Sequence, residues 1–165
     1  MKMQIITLFV PLSLLAFPLL SLAATANTNM EATATVSAKC NIIKTSDLAF
    51  ASVDPTTNGN YDGVGTIKTH CSKGTMQSIY ITTPASGFKM SSTSLPATGD
   101  GIVYAIYTTG AYDITFPSSV SVTKKAHSGS AETTNVYGRV VVSNTQNNSV
   151  TAGNYSQSLT VNIEW

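Results

Sequence analysis

The sequence predicts an all-β chain, a two-sheet sandwich of immunoglobulin-like type, on three observations. After residue 24, apolar and polar residues alternate in short runs, and no helical period is longer than about two turns. Strand candidates follow one another with turn formers between them and no helices, which favours a sandwich over an α/β fold. Two cysteines, Cys40 and Cys71, stand near one end, the even count expected of an exported, disulfide-bonded domain.

The elements follow in order. Lys2, the apolar run from Ile5 to Leu22 and the small-residue site Ser21-Leu22-Ala23 read as a secretory signal peptide over residues 1–23. Cleavage is expected after Ala23, and Ala24-Thr25-Ala26 offers a second site. The apolar run is long enough to be weighed as a membrane anchor, but Pro11, Pro18 and the site at its end favour a leader. No later segment is apolar enough to span a bilayer, so no span is expected once the leader is removed.

From residue 24 a strict two-residue period runs to Cys40 and predicts a strand continuing through Asn41-Ile42-Ile43. At that length it exceeds a typical strand. A second strand is expected over 47–53, then a loop over 54–63 dense in turn formers, then a strand over 64–71 ending in Cys71. Residues 77–83 alternate Ile79 and Ile81 against Ser78, Tyr80 and Thr82. Pro84, Gly87, Pro96 and the stretch 98–101 break up a polar region, whereas 102–108 is almost continuously apolar and belongs at the centre. Strands are expected over 120–126 and 135–143, with a loop over 144–154. The final run, 155–165, places Leu159, Val161, Ile163 and Trp165 on the core side and Thr160, Asn162 and Glu164 on the other.

Composition narrows the function. Charged residues are 10% of the chain and the net charge is +1, too little cationic surface for a nucleic-acid partner. Hydrophobic residues still reach 42%, so the chain folds, behind a bland surface suited to packing against copies of itself. The two cysteines allow one pairing, Cys40–Cys71, which should stabilise the fold by roughly 3–4 kcal/mol. Neither has a C-x-x-C partner, and His70 beside Cys71 points to the opposite face of a strand, which weakens a metal reading.

Catalytic signals are thin. His70 and His127 lie apart, no nucleophile or metal motif surrounds either, and the eight carboxylates are scattered; no catalytic residue, metal site or cofactor is expected. Asn58 to Gly63 opens like an EF-hand loop, but Thr69 stands where the bidentate glutamate belongs. Asn147-Asn148-Ser149 and Asn154-Tyr155-Ser156 fit the glycosylation rule, relevant to a eukaryotic chain. Tyr104, Tyr107, Tyr137 and Tyr155 can be read as a sugar-binding face, though strand tyrosines are more often packing residues.

An ordered set of segments resembles one family. It comprises the N-terminal strand leading to Cys40, Leu48-Ala49-Phe50, the stretch 69–74 around Cys71, the central 102–107, Val136 to Val142, and the end 152–165 with Gly153, Tyr155 and Trp165. Together they resemble the spore coat protein U-like domain of secreted bacterial pilin subunits, found in archaic chaperone–usher pili. Ala51 and Gln157 depart from the pattern, standing where the family often has glycine and aspartate.

The resemblance implies an incomplete sandwich that lacks its final strand, with an N-terminal donor strand offered to the next subunit by β-augmentation. It implies a leader over 1–23, a donor extension over 24–34 and a pilin domain over 35–165. Ala26, Thr28, Met30, Ala32 and Ala34 would enter a neighbour's groove, and Tyr155, Leu159, Val161, Ile163 and Trp165 would form the acceptor edge. The implied partners are a periplasmic chaperone, an outer-membrane usher and other pilin subunits. The implied location is the surface pilus of a Gram-negative bacterium, serving attachment or biofilm. Two rival functions are a monomeric secreted carbohydrate-binding adhesin using the tyrosines or the polar 84–101 region, and a secreted hydrolase.

Overall fold

A computed structural model describes residues 24–94, 100–120 and 124–165. The expected leader, Pro96, residues 98 and 99 of the stretch 98–101 and the middle of 120–126 lie outside the described residues. Nine strands are described: β1 (Cys40–Phe50), β2 (Gly59–Cys71), β3 (Met76–Thr82), β4 (Lys89–Ser92), β5 (Gly101–Tyr107), β6 (Lys125–Ala126), β7 (Glu132–Val142), β8 (Tyr155–Ser156) and β9 (Thr160–Glu164). They form an all-β, immunoglobulin-like sandwich with no helix among the described residues. One sheet has the order β1-β2-β7-β5-β4-β8 and the other β6-β3-β9.

Several expectations are corrected. Residues 24–39 form no strand, and β1 begins at Cys40. The two segments expected around Ile42 and Leu48 are one strand, interrupted by register shifts between Ile42 and Lys44 and between Ser46 and Ala49. Residues 59–63, expected in a loop, open β2, because β7 supplies a ladder partner to every residue from Gly59 to Thr69. The polar region conceals a short strand, β4, and the final run divides into β8 and β9.

Alternation on β2, β5 and β7 sends Ile67, Ile102, Tyr104, Ile106, Val136, Val140 and Val142 inward, where they meet Ile81 of β3 and Phe116. Phe116 and Pro117 tie the sheets together, since the Phe116 amide bonds the Ile106 carbonyl and the Ile81 amide bonds the Pro117 carbonyl. At one end Cys40 and Cys71, register partners with Cα atoms 4.0 Å apart, form the expected disulfide.

Residues 36–165 and the segment before them are separate compact units. Within the N-terminal unit the described residues, 24–35, carry neither helix nor strand and every side chain is exposed, with Met30 94% exposed.

Candidate functional site

The sandwich is open along one side. Three strands end their sheets there: β1 and β8 are the two edges of the larger sheet, and β9 is an edge of the smaller one. Residues 45–50 on one wall and 155–159 with Val161 on the other line a groove of about 540 Å³. Its floor is the core itself, including Ile67, Ile81, Tyr104 and Val136. A second hollow of about 740 Å³, between 48–53 with Pro55 and 150–155, shares Leu48, Phe50, Met90 and Tyr155 with the first and extends it over Ile102. The larger sheet thus curls until its own two edges face one opening.

The local sequence explains each wall. Leu48 and Phe50 pack inward from the end of β1 because the strand beneath has glycine where they land: Gly138 on β7 faces Gly63 on β2. A Cβ at Gly138 would lie 2.7 Å from Phe50 Cζ and 2.9 Å from Leu48 Cδ2. Phe50 meets the Tyr104 ring edge-on at 5.5 Å, and Phe88 packs on Tyr104 at 5.6 Å. The opposite wall changes sheets: β8 pairs β4 through Ser91 and Ser92, whereas β9 pairs β3 from Ser78 to Thr82. Gln157 holds the crossover. Its Nε2 donates to the Gly87 carbonyl at 2.8 Å, and its Oε1 accepts the Tyr104 hydroxyl at 2.7 Å. Burial pushes the Tyr104 hydroxyl up to about 12, so it serves as a neutral donor.

Of the expected acceptor residues, Tyr155, Leu159 and Val161 line the groove and Ile163 of β9 pairs Ile79 of β3. Trp165, expected on the core side, follows the end of β9 and is 51% exposed. Half-buried apolar side chains along both walls (Leu48, Phe50, Met90, Tyr155, Leu159, Val161) pack against the core from one side only. Gln157 and Met90, which line the groove, and Gly138, which lies beneath Leu48 and Phe50, were not anticipated; the signal for Gly138 is a glycine inside a strand, which marks a close approach.

The other candidates resolve differently. Tyr104 is 6% exposed and belongs to the core, not to a surface for sugars. Tyr107 and Tyr137 pair across β5 and β7 on the outer face, where Tyr112, from the following loop, packs on both. Asp62, in the stretch resembling a calcium loop, receives two hydrogen bonds from Arg139 at 2.7 and 2.8 Å, which hold its carboxyl below its usual value. The same guanidinium lies 3.6 Å from the Tyr112 ring centroid, a cation–π contact. Asn147 is a structural amide rather than an open glycosylation site. Its Nδ2 donates to the Val103 and Val141 carbonyls, and its Oδ1 accepts the Val103 amide, so the side chain continues the β5–β7 ladder. No cluster of three metal-ligating residues occurs among the described residues, and no described helix is long and apolar enough to cross a membrane.

Fold and groove together define an open-edged immunoglobulin-like sandwich. The chain belongs to the Spore Coat Protein U domain family, whose model matches residues 26–162, as the ordered motifs implied. No curated protein is significantly similar to it. Family membership fits a structural, pilus-type subunit and implies an extracellular protein.

Proposed function

We propose that the chain is a structural pilus subunit that polymerises by donor-strand exchange after secretion through a periplasmic chaperone and an outer-membrane usher. Residues 1–23 would direct export and be removed in the course of it, and residues 24–34 would be the donor. One observation carries this reading: three free strand edges converge on a groove whose floor is the hydrophobic core. Free edges over exposed apolar surface aggregate unless something covers them. A single added strand would satisfy both walls and bury the floor, with its main chain giving affinity and alternate side chains giving specificity. Residues 24–34 are exposed, outside any strand, and alternate as a groove-filling strand must.

The test is co-expression of the mature chain with a periplasmic chaperone, beside a chain lacking residues 24–32 and a Met30→Asp chain. The parent should give heat-sensitive polymers, and the truncated chain capped monomers only. A well-behaved parent monomer, stable without chaperone, would overturn the reading.

A further inference from the structure

On the terminal-segment wall of the groove the half-buried Tyr155, Gln157, Leu159 and Val161 alternate with exposed residues such as Ser156 and Ser158, and Gln157 supplies the amide of that inward row. This residue shares the inward parity of Tyr155, Leu159 and Val161. Its Nε2 donates to the Gly87 carbonyl at 2.8 Å and to Ser86 Oγ at 3.2 Å, which uses both amide protons. Its Oε1 accepts one bond, from the Tyr104 hydroxyl at 2.7 Å, and an amide oxygen has two lone pairs.

The donor face has a matching irregularity. Ala26, Met30, Ala32 and Ala34 share it with one hydroxyl, that of Thr28. A hydroxyl buried in an apolar groove without a partner is costly. A one-residue slip would turn the whole apolar face outward. A two-residue slip keeps that face inward but sets Thr28 against Leu159, or against Tyr155, whose hydroxyl already donates to the Thr151 carbonyl, and leaves only an alanine or Met30 beside Gln157. Resting on the donor-strand reading, we infer that Thr28 of an incoming copy donates its hydroxyl to Gln157 Oε1, and that this bond sets the register of the donor strand. The amide is pre-oriented by its bonds to Ser86, Gly87 and Tyr104, so forming the new bond orders little that is free. Thr45 on the opposite wall, in register with Ile67, also carries a hydroxyl, but it is exposed to water and discriminates poorly between registers.

The test uses the full chain carrying Met30→Asp, whose own segment is a poor donor, purified as its chaperone complex, and a fluorescent peptide of residues 24–36 that replaces the chaperone in the groove. Peptide release is timed. On the parent groove a Thr28→Val peptide should leave about tenfold faster than the parent peptide. A peptide with the hydroxyl moved, Ala26→Thr with Thr28→Ala, should leave equally fast. On a Gln157→Met groove, or a Gln157→Asn groove whose shorter amide withdraws the oxygen, parent and Thr28→Val peptides should leave at the same rate. Equal release of those two peptides from the parent groove overturns the register assignment. So does a Thr28 effect that survives at Gln157→Met or disappears with Thr45→Val. Failure of the parent peptide to bind at all overturns the donor-strand reading itself.

Discussion

Gly138 shows how one missing side chain shapes the groove. With no Cβ on β7 at this point, Phe50 and Leu48 can lie flat over the sheet. Gly138→Ala should overpack the site and cost about 1–3 kcal/mol, read as a lower urea midpoint at unchanged slope. Asn147 adopts a positive φ of 58° and replaces a stretch of ladder with its amide. Asn147→Gly preserves that backbone conformation while stranding one amide and two carbonyls, and should cost about 1–3 kcal/mol in the same assay. Glu132 receives the Ser128 amide at 2.8 Å and Lys125 Nζ at 2.9 Å, which hold its carboxyl down to about 2 from an ordinary 4.5. A depressed carboxyl stabilises the fold fully above its unfolded value and loses that contribution as pH falls through the folded one. Glu132→Gln should therefore flatten the stability profile between pH 4.5 and about 2 and leave its shape near neutrality unchanged. Glu132 acts within its own turn, but the roles of Gly138 and Asn147 could not be read locally, because they act through β1 and β5.

At the scale of elements, β1 is held on one side only. Its partner β2 supplies the ladder and, through Cys71, the disulfide at Cys40, while its other edge faces the groove. Replacing both cysteines by serine should lower stability by about 3–4 kcal/mol. Hydrogen exchange should show amide protection falling on β1 before β3 or β7, and uniform loss would contradict the one-sided attachment. The cysteine pairing was legible because two cysteines allow one bond. The extent of β2 was not, because Asn58 to Gly63 has turn-forming composition. There β7 supplies partners and Arg139 neutralises Asp62, so tertiary pairing overrides local preference.

For the whole molecule, the sandwich opens along one side over its own core. A ligand that binds only the folded groove raises stability with the logarithm of its concentration, by about 2.7 kcal/mol at a hundredfold excess over Kd. When the Met30→Asp chain is refolded with a peptide of residues 24–36, rising peptide concentration should raise its melting temperature in that manner, and a scrambled peptide of the same composition should not. A concentration-independent melting temperature would count against an acceptor groove. The 10% charge content fits an assembly whose subunits bury surface against one another, since few charges need desolvating.

The sequence alone determined the all-β class, the disulfide partners, the central place of 102–107 and membership of the family, because periodicity, cysteine count and ordered motifs are properties of the chain read along its length. Only the tertiary structure decided which edges stay free, that the terminal run divides between two sheets, and that Gln157 meets Tyr104, 53 residues away. Those facts depend on which strands become neighbours, and neighbours are chosen by burying one shared core rather than by any local run of residues.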